Sequence, residues 1–193
     1  MIKRTVLAIF ISSSSLVGCI TTPTISAQQR PPHWGKALHQ PDNFYQISEH
    51  VFRSEQPNTK LIPQLKAHDI DAVINLRSRN ADLAVLPSTD FQLIHIPINT
   101  WAMNRDDLLQ VMQHIQQAQK LNQKVLIHCY HGSDRTGASV AMYRIIFENW
   151  PTEDALNEMK YGGYGFHPVW MNIEKIFSPE NIKWIRQQLS NPS

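Results

Sequence analysis

The chain has 193 residues, with 18 Lys plus Arg against 16 Asp plus Glu and 42% hydrophobic residues, enough for one domain with a sizeable core. No basic run occurs anywhere, which argues against a nucleic-acid partner and against electrostatic attachment to lipid head groups. Of the two cysteines, Cys19 and Cys129, the first falls at the end of a leader, so no internal disulfide is expected even in an oxidising compartment.

Lys3 and Arg4 precede an apolar run from Val6 to Val17 that Ser12 to Ser15 interrupt. A short basic region and a short apolar region read as a secretory signal over residues 1–18, too short to span a bilayer permanently. Leu16-Val17-Gly18-Cys19 resembles a bacterial lipobox, which implies cleavage before Cys19, acylation of that cysteine and stable anchoring through several acyl chains. Ile20 offers no inner-membrane retention signal, so the expected location is the bacterial cell envelope, facing the periplasm from the outer membrane. Removal of Lys3 and Arg4 leaves sixteen basic residues against sixteen acids, a neutral mature chain. Residues 19–42 are polar, contain Pro23, Pro31 and Pro32 and lack apolar periodicity. They predict a flexible tether with Trp34 as a docking point.

The folded domain is expected over residues 43–193. Phe44 to Ile47 and Val51 to Arg53 predict two short strands joined by a turn. A helix over residues 59–67 follows, with Leu61, Ile62 and Leu65 as its stripe. Asp71 to Leu76 is nearly all apolar, as a strand covered on both faces should be, and Phe91 to Pro97 is a further strand with His95 as a hydrogen-bonded core residue. Asn104 starts a helix to about Leu121, where Asn104 and Asp107 have capping-box spacing and Leu108, Val111, Met112, Ile115 and Ala118 share one face. Lys124 to His128 is the next strand. A helix over residues 138–148 is apolar nearly all round and belongs in the middle of the domain. Two more helices are expected over residues 151–160 and 180–189, with the glycine-rich Tyr161 to Gly165 as a turn. Strands alternating with helices predict a single α/β domain with a central, mostly parallel sheet flanked by helices.

Between the strand ending at His128 and the helix after it lies His-Cys-Tyr-His-Gly-Ser-Asp-Arg-Thr-Gly, residues 128–137. A cysteine at a strand end, facing a helix N-terminus with an arginine six positions on, has surroundings that favour the thiolate. The residues between them, Tyr130, His131, Gly132, Ser133 and Asp134, would present a ring of backbone N–H groups to a tetrahedral anion. Arg135 would grip two phosphoryl oxygens with its planar fork. Thr136 is placed to donate to the sulfur, and His128 to orient and tune it.

This loop resembles the signature of the cysteine-dependent tyrosine and dual-specificity phosphatases through His128, Cys129, Gly132, Arg135, Thr136 and Gly137. Arg53-Ser54-Glu55-Gln56-Pro57, the following helix and Val73 to Arg77 are similar to bacterial, plant and fungal atypical members, which extends the likeness over residues 44–178. The resemblance implies phosphate monoester hydrolysis through a phosphocysteine, on phosphotyrosine, phosphoprotein or phosphoinositide-type substrates. It implies no metal or cofactor, and the nine histidines show no ligand spacing.

The general acid is the open assignment, because thiolate attack needs a proton for the leaving oxygen. In ordinary members an aspartate some thirty positions before the cysteine supplies it, but residues 97–103 contain no acid. Asp134 is favoured, because the Asp-Arg-Thr ending resembles myotubularin-like and Sac-like phosphatases in which the loop aspartate is the proposed acid. Asp106 and Asp107 are the alternatives, with helix capping as their competing role. Two other functions fit the loop: a pseudophosphatase that binds phospho-ligands without turnover, and a rhodanese-like sulfurtransferase.

Overall fold

The computed structural model describes residues 20–190; the expected leader 1–18 and the acylation site Cys19 lie outside the described residues. Six strands and six helices follow in order: β1 Lys36–His39, β2 Phe44–Gln46, β3 Val51–Ser54, α1 Ile62–Ala67, β4 Ala72–Asn75, β5 Gln92–His95, α2 Arg105–Lys120, β6 Val125–His128, α3 Asp134–Phe147, α4 Thr152–Tyr161, α5 Met171–Lys175 and α6 Pro179–Ser190. The sheet order is β1-β2-β3-β6-β4-β5. The first three strands pair antiparallel, and β3, β6, β4 and β5 are parallel. This is the expected α/β domain with a mostly parallel sheet between helices.

Alternation along the strands divides the core. Val125 and Ile127 of β6, with Ala72 and Ile74 of β4, face one side and pack among the inward residues of α2 and α3. Leu126 and Val73 face the other, with Phe52, Leu61, Leu65 and Phe91. A period of two in buried strands on both faces therefore builds two cores of unequal size. Helix α3 is buried along most of its length, because its small and apolar residues leave no polar face to turn outward.

Three expectations differ from the structure. Helix α3 begins at Asp134, four residues earlier than expected, because Asp134 to Gly137 form its first turn and the Gly137 amide donates to Ser133 O at 2.7 Å. Strand β1 and helix α5 were not anticipated; β1 has no buried residue, so its strand state comes from pairing with β2 and not from periodicity.

The third difference concerns the tether, because the part of residues 19–42 within the described residues lies along the domain. The Thr22 amide donates to Phe166 O at 2.8 Å and the Ile25 amide to Tyr161 O at 3.3 Å. Arg30 donates to Gly162 O and Gly35 O, and Trp34 is buried. Proline and polarity signal the absence of a helix or strand period, which is not the same as the absence of docking partners.

Candidate active site

The carboxyl ends of β3, β4, β5 and β6 meet on one edge of the sheet, the place where open α/β sheets bind ligands. The loop from Cys129 to Ser133 leaves β6 here and enters α3. Gly132 has φ +70°, and a Cβ on it would lie 2.4 Å from Ser54 O. Only glycine permits both that angle and that approach of the loop to the end of β3.

The loop is held from behind. The Tyr130 carbonyl accepts from the Gln56 amide at 3.1 Å. Ser133 Oγ donates to Tyr164 O at 2.8 Å, so its side chain is committed and only its amide is free. Asn43 Nδ2 donates to His131 O at 2.9 Å and to Tyr164 O at 3.0 Å. Beneath the loop Arg53, fully buried, donates to Gly132 O and stacks 3.7 Å from the Tyr164 ring centroid. Burial pulls the Arg53 guanidinium below its ordinary range, while Tyr164, Glu158 and Cys129 oppose that shift. Arg53 therefore lies under the loop that carries Cys129.

Facing outward, the loop presents unused donors. Among the described residues, no amide from Tyr130 to Thr136 donates to a protein acceptor. Three of these are the first helical N–H groups of α3, which have no partner within the helix. Arg135 Nη1 donates to Leu76 O at 3.1 Å and Ile98 O at 3.0 Å, fixing the guanidinium against the ends of β4 and β5. Arg135 Nε and Thr136 Oγ1 are buried without partners. Buried donors are nearly always satisfied, and a bound phosphoryl group next to a sulfur would satisfy these.

Cys129 is 2% exposed and lies in the loop itself. Tyr130, His131, Asp134 and Arg135, with Thr100 and His167, line a cavity of about 660 Å3, and Ile20, Pro168, Val169 and Trp170 complete its wall. His128 faces the opposite way: its ring is buried, with Nε2 2.8 Å from Asp82 Oδ2 and Nδ1 3.2 Å from Cys129 O. Its Nδ1 thus contacts the carbonyl of Cys129.

The acid candidates separate. The Asp134 carboxylate lies in the cavity wall, accepting from the His167 amide at 2.9 Å and lying 2.9 Å from His167 Nδ1. Asp106 and Asp107 are not among the lining residues. Asp107 instead completes the capping box of α2, accepting from the Asn104 amide at 2.9 Å. Burial raises the Asp107 carboxyl above its ordinary range, the Asn104 amide lowers it and Asp106 raises it.

Sequence reasoning missed two partners. Asp82, which no period or motif marks, is buried, accepts from Gln56 Nε2 at 2.8 Å and buttresses His128. His167, thirty-three positions from Asp134, had no signal beyond its place after the glycine-rich turn.

A strand-end thiol within a ring of free amides, closed by an arginine whose fork is pinned to two neighbouring strands, is arranged to receive a phosphoryl group; the fold and site are those of a cysteine phosphatase. The profile of the dual specificity phosphatase catalytic domain matches residues 51–176, and the chain belongs to that family. It is 30% identical over 166 residues to the dual specificity protein phosphatase TpbA of Pseudomonas aeruginosa, covering 86% of this chain and 75% of that one. The crystal structure of TpbA matches with a TM-score of 0.76 at 28% identity, over 84% of this chain and 99% of that one. A cysteine-to-serine TpbA in complex with phosphotyrosine matches equally, at 27% identity. Tyrosine-protein phosphatase yvh1 of Schizosaccharomyces pombe is 26% identical over 142 residues, 68% of this chain and 40% of that protein. PTPMT1 in complex with PI(5)P shares the fold, with a TM-score of 0.61 at 19% identity over 76% of this chain and 99% of that one. The chain is thus a cysteine-dependent phosphatase.

Proposed function

We propose that this phosphatase hydrolyses aryl phosphate monoesters of the phosphotyrosine type, from a lipid-anchored position in the cell envelope facing the periplasm. The observation that carries the substrate reading is the run of unpartnered amides from Tyr130 to Thr136 around Cys129 and Arg135. The likeness to TpbA solved with phosphotyrosine supports the aryl substrate, and the cavity of about 660 Å3 next to the loop has room for more than a phosphate. The envelope location rests on the leader and on Leu16-Val17-Gly18-Cys19.

Cys129 Sγ attacks phosphorus and the leaving oxygen departs with a proton. Water then attacks the phosphocysteine and releases inorganic phosphate and the thiolate. The loop amides and Arg135 stabilise the charge on the three equatorial oxygens in both steps. Asp134 is the proton donor, positioned by the His167 ring and amide.

Cys129→Ser should abolish turnover of p-nitrophenyl phosphate and of phosphotyrosine, while retaining phosphate binding. Retained turnover would remove the mechanism. For the acid, pH–rate profiles of Asp134→Asn, Asp106→Asn and Asp107→Asn are compared. Only Asp134→Asn should lose the acid-dependent limb, with a fall of about 10²-fold or more in kcat; an unchanged limb would reassign the proton donor.

A further inference from the structure

Seven large hydrophobic side chains among the described residues are more than half exposed, and they are distributed unevenly. Leu121 ends α2, beside the start of β6. Leu83 lies in the segment after β4, beside Asp82. The other five, Ile20, Trp101, Tyr130, Val169 and Met171, line the cavity or adjoin residues that line it. Trp101 follows β5, and Tyr130 follows Cys129. Asn172 Nδ2 donates to Thr100 O at 2.8 Å, which joins the Met171 segment to the Trp101 turn. Ile20 and Val169 line the cavity itself. Scattered single hydrophobics are ordinary, but five around one opening form a patch that water does not favour.

The chain enters this patch from its N-terminus. Ile20 is bonded directly to Cys19, the residue that the lipobox reading acylates, and the apolar run 6–17 lies just upstream if that cut is not made. In either case the apolar anchor joins the domain at the cavity wall. The expected tether would have let the domain turn freely, but Thr22, Ile25 and Arg30 are bonded to the domain. The leash is therefore very short. Tryptophan and tyrosine on such a rim suit the interfacial layer of a bilayer, where one end of the ring is apolar and the other wet.

We infer that the crown formed by Trp101, Tyr130, Val169 and Met171 docks on the bilayer that holds the anchor, so that the catalytic cavity opens onto the head-group layer. The membrane contact then involves the protein surface as well as the N-terminal lipid. The inference depends on the anchor reading for its partner and on the phosphatase reading only for its consequence, which is that the phosphate esters within reach are those presented at the membrane surface.

The test uses the full acylated chain reconstituted into vesicles of phosphatidylethanolamine and phosphatidylglycerol, three to one, with and without brominated acyl chains. Brominated lipid should quench the tryptophan fluorescence. Trp101→Phe should reduce that quenching about twofold, since Trp101 is the tryptophan exposed on the crown, whereas Trp184→Phe, on α6, should leave it unchanged. Absent quenching, or equal quenching in Trp101→Phe, overturns the docking. Turnover of p-nitrophenyl phosphate in the same vesicles reports the phosphatase reading separately; its loss would leave a quenching result standing.

Discussion

At the residue scale, the nucleophile depends on groups that never meet the substrate. Asp82 is an example: burial resists its ionisation, but the hydrogen bond and charge of His128, with help from Gln56 and Arg77, outweigh that and hold the carboxyl below its ordinary range. A carboxyl depressed on folding stabilises the protein above its unfolded value, near 3.8, and that contribution is lost as pH falls through the lower folded value. Asp82→Asn should therefore cost about 1–3 kcal/mol at neutral pH, the range for a buried hydrogen-bonding group losing its charged partner. The gap to wild type should narrow as pH falls below that unfolded value, where the unfolded chain takes up the proton before the folded one does. Urea unfolding from pH 3 to 7 measures both, and a gap independent of pH would remove the ionised Asp82 from the account.

At the element scale, α2 and α3 use their N-termini differently. The first amides of α2 are capped: Asn104 Oδ1 accepts from the Asp106 and Asp107 amides at 2.8 and 3.4 Å, and Asp107 returns a bond to the Asn104 amide. The first amides of α3 have no cap, and Ser133 makes no side-chain bond there. A helix start left unsatisfied in a buried position is an anion site. Asn104→Ala should cost about 1 kcal/mol, the usual loss of a polar cap, with kcat on p-nitrophenyl phosphate unchanged. A large fall in kcat without a matching loss of stability would return Asp106 or Asp107 to the chemistry.

At the scale of the whole molecule, the N-terminal segment is part of the active-site support. The Gly35 amide donates to Glu158 Oε1 at 2.6 Å, and Arg144 Nε donates to Glu158 Oε2 at 2.9 Å. Tyr164 OH also donates to Glu158, while its ring carries Arg53 beneath the phosphate loop. Burial, with Glu158 adding to it, pushes the Tyr164 hydroxyl above its ordinary range, so it remains a donor. Trp34, beside Gly35 and under Arg30 at 5.4 Å, closes this layer. Trp34→Ala should cost about 3–5 kcal/mol, as for other buried aromatic truncations, and should lower kcat together with Tm. An unchanged Tm would mean that the segment rests on the domain without stabilising it.

Residues 128–137, the periods of the strands and helices and the capping box of α2 were legible because local chemistry and periodicity define them. The α/β class follows from the order of those elements, and the phosphate cradle from Cys129 and Arg135 at their spacing. The partnership of Asp82 with His128, of His167 with Asp134 and of Arg53 with Gly132 was not legible. Each joins residues dozens of positions apart that carry no common period. Residues 20–42 were misread for the same reason: their hold on the domain comes from bonds to carbonyls and a buried carboxylate far along the chain. The sequence alone thus determined the nucleophile, its cradle and the order of elements. Tertiary structure decided what supports the cradle, which aspartate faces the cavity and where the N-terminal segment meets the domain, because these depend on distances that only packing sets.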